Sequence, residues 1–579
     1  MLTLKSILKA GITLCICMTF AACGGGTDST LVNTPLGSVQ GVQRNGAIEF
    51  RGIPFSQPLE PKDRWSLEKP VAAWKNVLDA DSFGKACAQE RRFELTEESL
   101  EENCLTLNIS TPVEANREKL LPVMVWFPGG AFVGGSANLY RLDKLAREGK
   151  IVVVSANYRL GALGFMSHPS QVNEPWNGNL ALEDQRLAMK WVQENIKYFG
   201  GDPSKVTIAG ESAGAASVCL HLLSRPQTEG LFQQAIATSY GCLFEWPTVQ
   251  SSIGSASANY SSDAEKPTWR LMAEQTGCFN PDSPGDAQEL ACMRRKSVPE
   301  ILAAQNHVAK VNPLFPFAPK IDSGSDGTVP LASYDKDEIS THLNRVPLLL
   351  GGTQDELRLY VAYDVLSGLL PDPSVITQEQ LKGYMGIYYG LDKSVNWAEH
   401  YDRIIKEYFP GERITAAAVG SMLSDYIPVG GANNCEALAS AAALSQWTTV
   451  YQWEFADPNA PVLGIGIAPG YDPGMELGPV HSSELNYIFP NLSNTAAINA
   501  PDLPVPSQRL SDQLVQSWAA FVKFGSPMTS DTVGWKPYVS TMSNSVMRFE
   551  PDAIKTYDAR AKHKCSFWES LDTSLKPKD

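Results

Sequence analysis

The chain has 579 residues, 43% of them apolar, 19% charged and 9% aromatic, which excludes a disordered, fibrous or miniature staple-held protein and supplies enough apolar surface for a large core. Its formal charge is −15, and −17 without residues 1–22, which carry Lys5 and Lys9 and no acid. A surface of that sign repels nucleic-acid phosphates and anionic head groups, so no nucleic-acid partner is expected.

Residues 1–22 read as an export signal. Lys5 and Lys9 precede the uncharged stretch 10–22, long enough for a secretory core and short of the ~20 residues that span a bilayer as a helix. Phe20-Ala21-Ala22-Cys23 with the following Gly24-Gly25-Gly26 resembles a bacterial lipobox and its tether. Cys23 is therefore the expected lipidation site, 23–30 a flexible tether, and the lipid the sole expected membrane contact. Phe20 stands where an aliphatic residue is usual, which leaves open ordinary cleavage after Ala22 into the periplasm or medium. Residues 31–579 read as one domain, with insertions at about 242–345 and 366–446 roofing a site.

Eleven cysteines less Cys15, Cys17 and Cys23 leave eight, with no Cys-x-x-Cys pair, so neither a zinc site nor any other metal is expected. Cys87 with Cys104 and Cys278 with Cys292 would close short polar loops, as staples do in an oxidising compartment.

Apolar runs of strand length recur at 123–127, 151–156, 206–209, 235–238, 348–350 and 450–455. Most are continuously apolar, the pattern of strands covered on both faces. Ala188, Trp191, Val192, Asn195, Ile196 and Phe199 fall at helical spacing and stop at Gly200-Gly201-Asp202-Pro203. Strand, helix and strand in that order predict an α/β fold: a mostly parallel sheet with helices on both faces, and a site beyond the carboxyl ends of the strands.

Gly210-Glu211-Ser212-Ala213-Gly214 follows the run 206–209 and precedes a helix-forming run over 213–223. A serine on so tight a turn needs glycine two residues before and after, because a Cβ there would strike the adjoining strand and helix. Ser212 is the expected nucleophile. A serine needs a base, and of the seven histidines His221 lies along the elbow helix as a packed imidazole. His481 follows the run 450–455 and a Gly/Pro-rich loop, which suits a base on a loop at the sheet's edge. The carboxylate that must orient the imidazole is Asp355 or Glu356, both just past the run 348–350. Oxyanion donors come from the small-residue loop after 123–127, with the amides of Gly130 and Ala131 beside that of Ala213.

With these motifs stand Phe50-Arg51-Gly52-Ile53-Pro54-Phe55, Glu102-Asn103-Cys104-Leu105, Asn157-Tyr158-Arg159-Leu160-Gly161 and His481-Ser482-Ser483-Glu484-Leu485. Together they resemble a type-B carboxylesterase of the α/β-hydrolase superfamily, the group of cholinesterases and bacterial para-nitrobenzyl esterases, over about 34–571. The resemblance implies a Ser-His-Glu triad with Glu356 as its acid, supporting positions at Ser239 and Glu211, no cofactor, and a small-molecule ester as substrate. It implies disulfides Cys87–Cys104, Cys278–Cys292 and Cys435–Cys565, leaves Cys219 and Cys242 open, and makes Arg64 and Glu102 a buried ion pair. Trp246 lies where members line the acyl pocket. Three positions depart from the family pattern: Pro128 and Ala131 in the oxyanion loop, and Leu357 where glycine usually follows the acid. The segment between Cys87 and Cys104 lacks the tryptophan on which cholinesterases stack their ligand, which makes choline esters poor candidates. A bulky natural ester, such as a polyester, phenolic or mycotoxin ester, is the alternative substrate. A non-catalytic binding module on the same fold is the alternative function, against which the presence of Ser212, Glu356 and His481 together argues.

Overall fold

A computed structural model of the chain describes residues 30–571 other than 92–96, 116–117, 244–265, 312–316, 321–335, 390–396, 412, 428–430, 463–471 and 491–502. The expected signal, Cys23 and Trp246 lie outside the described residues.

Fourteen strands form among them: β1 (Leu31–Thr34), β2 (Gly37–Gln40), β3 (Val42–Arg44), β4 (Ala47–Pro54), β5 (Leu78–Asp79), β6 (Thr106–Pro112), β7 (Leu121–Phe127), β8 (Val152–Ala156), β9 (Gly201–Glu211), β10 (Gln234–Thr238), β11 (Leu348–Thr353), β12 (Val450–Phe455), β13 (Val546–Phe549) and β14 (Lys555–Tyr557). β1, β2 and β5 make a small separate sheet; the other eleven join in the order β14-β13-β12-β11-β10-β9-β7-β8-β6-β4-β3. Every pairing from β13 to β8 is parallel, and the pairings outside that block are antiparallel.

The continuous apolar runs are explained by two cores, one on each face. Val123, Val125 and Phe127 of β7 enter one core while Met124 and Trp126 enter the other, and β8, β10 and β11 divide their residues the same way. Because successive side chains of a strand point to opposite faces, a strand covered on both sides must be apolar throughout. The helices Leu180–Asn195, Ala213–Leu222 and Asn434–Leu444 fill the first face. The long helix Val505–Phe524 closes the second with Leu510, Leu514, Trp518 and Phe521.

The helix expected over 188–199 begins earlier, at Leu180, and its last turn tightens into a 3-10 segment, Ile196–Phe199. Gly200, at φ 86°, ends it in the left-handed conformation that glycine adopts without a Cβ clash. β12, which precedes His481, lies inside the sheet, with β13 and β14 beyond it. Four disulfides form, Cys87–Cys104, Cys278–Cys292, Cys435–Cys565 and Cys219–Cys242, so the last two cysteines are a bonded pair rather than two thiols. Arg64 is buried and donates from Nε to Glu102 Oε1 at 2.7 Å. No helix among the described residues is long and apolar enough to cross a membrane.

Candidate active site

β9 ends at Glu211 and a helix starts at Ala213, so Ser212 alone makes the corner, at φ 55° and ψ −124°. A non-glycine residue held there is strained, and surrounding structure has to over-determine it. That structure is tight: a Cβ on Gly210 would collide with the Gly214 carbonyl, and one on Gly214 with the Phe127 carbonyl at the end of β7. Both glycines are required by the packing that the sequence pattern anticipated.

The structure brings the three expected side chains into one chain of hydrogen bonds. His481 Nε2 lies 2.9 Å from Ser212 Oγ, and His481 Nδ1 lies 2.6 Å from Glu356 Oε2. Glu356 Oε1 accepts from the Thr353 amide at 2.7 Å. The loops carrying acid and imidazole are laced together by their backbones: Asp355 N donates to Pro479 O at 3.1 Å and His481 N to Glu356 O at 3.2 Å. Asp355 itself turns away, to Ser421 Oγ at 2.8 Å and to Arg358, so of the two carboxylates left open by position it is Glu356 that meets the ring.

Leu357 keeps an ordinary right-handed backbone, φ −85°, so no glycine is needed after the acid. The requirement falls on Gly352 instead, where a Cβ would come within 2.5 Å of Glu356 Oε1. Ser239, expected to support Glu356, differs from expectation. Its Cα backs onto Gly352, but its hydroxyl has no hydrogen-bond partner among the described residues.

The loop after β7 lies against the elbow: a Cβ on Gly129 would be 2.8 Å from Glu211 O and 3.2 Å from Ser212 Cβ. Pro128 O accepts from the buried Tyr158 hydroxyl, and Phe132 O from the Gly161 amide at 2.7 Å, which fixes both ends of the loop. Ala131 and Phe132 adopt positive φ, 53° and 61°, a conformation that the small Ala131 tolerates at modest cost. No protein acceptor among the described residues takes the amides of Gly130, Ala131 or Ala213, so these donors are free for a ligand oxygen.

Three buried carboxylates surround the His481 ring. Glu211 Oε1 lies 3.2 Å from Nε2 and accepts from Ser482 Oγ at 2.6 Å. Burial works against charge on the imidazole, but Glu211, then Glu356 and Glu484, outweigh it and raise its pKa to about 9. Burial likewise raises the Glu211 carboxyl, with His481 pulling the other way. Glu484 is fully buried, neither of its oxygens finds a hydrogen-bond partner among the described residues, and burial with two neighbouring carboxylates pushes its pKa well up. The roles of Glu484 and Ser482 are absent from the sequence reading, although both sit in the His481-Ser482-Ser483-Glu484 motif. The available signal was spacing, since a turn returns the third residue after His481 to the same side.

His221 is the packed imidazole expected of it. Nε2 bonds Gln185 Oε1 at 2.7 Å, and burial with Arg186 nearby lowers its pKa far enough to keep it neutral. Tyr360 packs beside His481, with 5.6 Å between ring centroids. Among the described residues no cluster of side chains could hold a metal ion.

The model of the carboxylesterase family matches residues 28–568. Para-nitrobenzyl esterase of Bacillus subtilis (strain 168) is 30% identical over 524 residues, covering 88% of this chain and 92% of that protein. Acetylcholinesterase of Bungarus fasciatus is 30% identical over 585 residues, covering 96% and 89%. Among solved structures, a thermophilic PNB esterase superposes with a TM-score of 0.69 at 28% identity, covering 93% of this chain and 99% of its own; the eleven-stranded sheet with helices on both faces is thus an α/β-hydrolase fold.

Proposed function

The chain belongs to the carboxylesterase family and is a carboxylic ester hydrolase, and we propose that it works through Ser212, His481 and Glu356 by an acyl-enzyme intermediate on small to medium or bulky organic esters. The observation that carries the proposal is the unbroken path from Ser212 Oγ through both ring nitrogens to Glu356. His481 Nε2 takes the hydroxyl proton as Ser212 Oγ attacks the ester carbonyl. The amides of Gly130, Ala131 and Ala213 receive the oxyanion, each such donor being worth roughly 3 kcal/mol in the transition state. The protonated ring then gives its proton to the departing alcohol. Water, deprotonated by the same nitrogen, releases the acid and returns the serine. Glu356 holds the tautomer that leaves Nε2 free to accept, and balances the cation when it forms.

The segment between Cys87 and Cys104 offers no tryptophan, so the proposal favours neutral esters over choline esters. It also places the protein outside the cytoplasm, lipidated at Cys23 or released after cleavage. The four disulfides and the leader-like residues 1–22 support that location.

The test is turnover of p-nitrophenyl acetate and butyrate by the purified protein beside Ser212→Ala, followed by an ester panel graded in chain length and bulk. Wild type is expected to turn over and S212A to lose at least ~10⁴-fold in kcat with an unchanged melting temperature. Equal rates in the two proteins would refute the assignment.

A further inference from the structure

Away from the ester site, a second buried histidine is gripped at both ring nitrogens. His563 Nδ1 lies 2.6 Å from Asp425 Oδ1 and Nε2 lies 2.5 Å from Glu454 Oε2, with the residue 1% exposed. Ionised carboxylates only accept hydrogen bonds, and an imidazole donates from both nitrogens only as a cation. Burial opposes that charge, but Glu454 and Asp425 raise the ring's pKa to about 10.

The grip joins three elements. Asp425 ends the helix Ala416–Asp425, Glu454 lies on β12, and His563 sits two residues before Cys565, which is bonded to Cys435. It also leads to the acid of the triad. Glu454 pairs in register with Gly352 on one side and Arg548 on the other, and Gly352 is the position whose missing Cβ makes room for Glu356. Arg548 Nη1 bonds Glu454 Oε1 at 3.1 Å and Gln354 Oε1 at 2.7 Å. Gln354 is further tied by its amide to Phe455 O at 2.9 Å, by its carbonyl to Asn434 Nδ2 at 3.1 Å and by Nε2 to Asp355 Oδ2 at 2.8 Å. Glu356 and His563 line the same small pocket.

We propose that His563 is a positioning residue for ester hydrolysis: through Glu454, Arg548 and Gln354 its ring fixes the loop 353–356 that presents Glu356 to His481. The inference rests on Glu356 being the acid of the triad. Without the two-sided clamp, Glu454 is free to turn, Arg548 loses one anchor, and Gln354 and the two residues after it gain freedom. Misplacing Glu356 weakens its hold on His481, which lowers both the ring's pKa and the rate of proton transfer while leaving the ester-binding walls in place.

The experiment uses the full chain with p-nitrophenyl butyrate and compares wild type, His563→Gln, Gln354→Ala, the double variant and Ser212→Ala. H563Q keeps one donor pair but cannot serve both carboxylates; Q354A cuts the route while leaving the clamp intact. Each single variant is expected to lower kcat by about tenfold with KM within about twofold, and to move the acid limb of kcat/KM to lower pH. The double variant should be no worse than the poorer single, since both break one path. Lower melting temperatures with kcat and the acid limb unchanged would reduce His563 to a structural pin and overturn the proposal, as would effects that multiply in the double variant. If H563Q does not fold, Q354A alone decides, because it leaves the buried clamp whole. A wild type without turnover, or one matched by S212A, removes the triad reading itself and the inference with it.

Discussion

Replacing Glu211 with glutamine tests how the site sets the basicity of its imidazole. The carboxylate lies 3.2 Å from His481 Nε2 and heads the influences that raise the ring's pKa. Coulomb's law at an effective dielectric of about 20 gives about 5 kcal/mol at that distance, close to four pH units at 1.36 kcal/mol each. Two features reduce this ceiling. The Ser482 hydroxyl shares the charge on Oε1, and burial opposes charge on the Glu211 carboxyl. A shift of about one to two units remains. The ring works as a base only when neutral, so wild-type kcat/KM should rise with pH through about 9. Losing a carboxylate lowers the ring's pKa, and the acid limb of Glu211→Gln should therefore move to lower pH by one to two units. The assay is kcat/KM for p-nitrophenyl butyrate across the acid and alkaline range with buffer hydrolysis subtracted. A limb within ~0.3 units of wild type in E211Q, beside a clear shift in Glu356→Gln, would refute the picture of an imidazole enclosed by several carboxylates.

Glu484 makes the contrasting case. Its pKa is pushed well up by burial and by Glu211 and Glu356, so Glu484→Gln removes a carboxyl whose anion the site disfavours; thermal stability should be kept or improved, and the acid limb should move by less than in E211Q. Removing the Cys219–Cys242 bond with paired serines should cost about 3 kcal/mol in urea unfolding, the chain entropy of a loop of that length, while a loss below ~1 kcal/mol would show that packing alone closes the loop. The two changes are far enough apart in mechanism that E484Q should not alter the effect of losing the disulfide.

The parts of the fold that were legible in the sequence are those where a local rule leaves one solution. β7, β8, β10 and β11 announce themselves because burial on two faces keeps nearly every position apolar. The strands at the two ends of the sheet do not. β3, β13 and β14 are three or four residues long, too short for periodicity, and β4 carries a register shift between Phe50 and Ile53 that breaks its alternation. β4 and β13 form because β6 and β12, from distant parts of the chain, offer them unpaired edges, and β3 and β14 follow as their hairpin partners.

The site divides in the same way. The elbow is legible because the collisions awaiting a Cβ at Gly210 and Gly214 restrict those positions to glycine. Cys219 and Cys242 could not be paired from spacing, since their approach depends on how the elbow helix packs beside the chain that follows β10. The carboxylates around His481 were hidden for a deeper reason. A glutamate three residues past a histidine looks the same whether it ends in water or in a dry pocket, yet the pKa of Glu484 is set by burial first and by its neighbours second. The same holds for Ser482, whose left-handed backbone, φ 68°, aims its hydroxyl at Glu211, and for the Asp425–His563–Glu454 clamp, whose members lie 109 and 138 residues from the ring that joins them. Sequence motifs thus record where small residues and reactive groups must stand. The field that tunes those groups is assembled by long-range packing, which is why the substitutions at Glu211, Glu484, Gln354 and His563 are read through a pH profile.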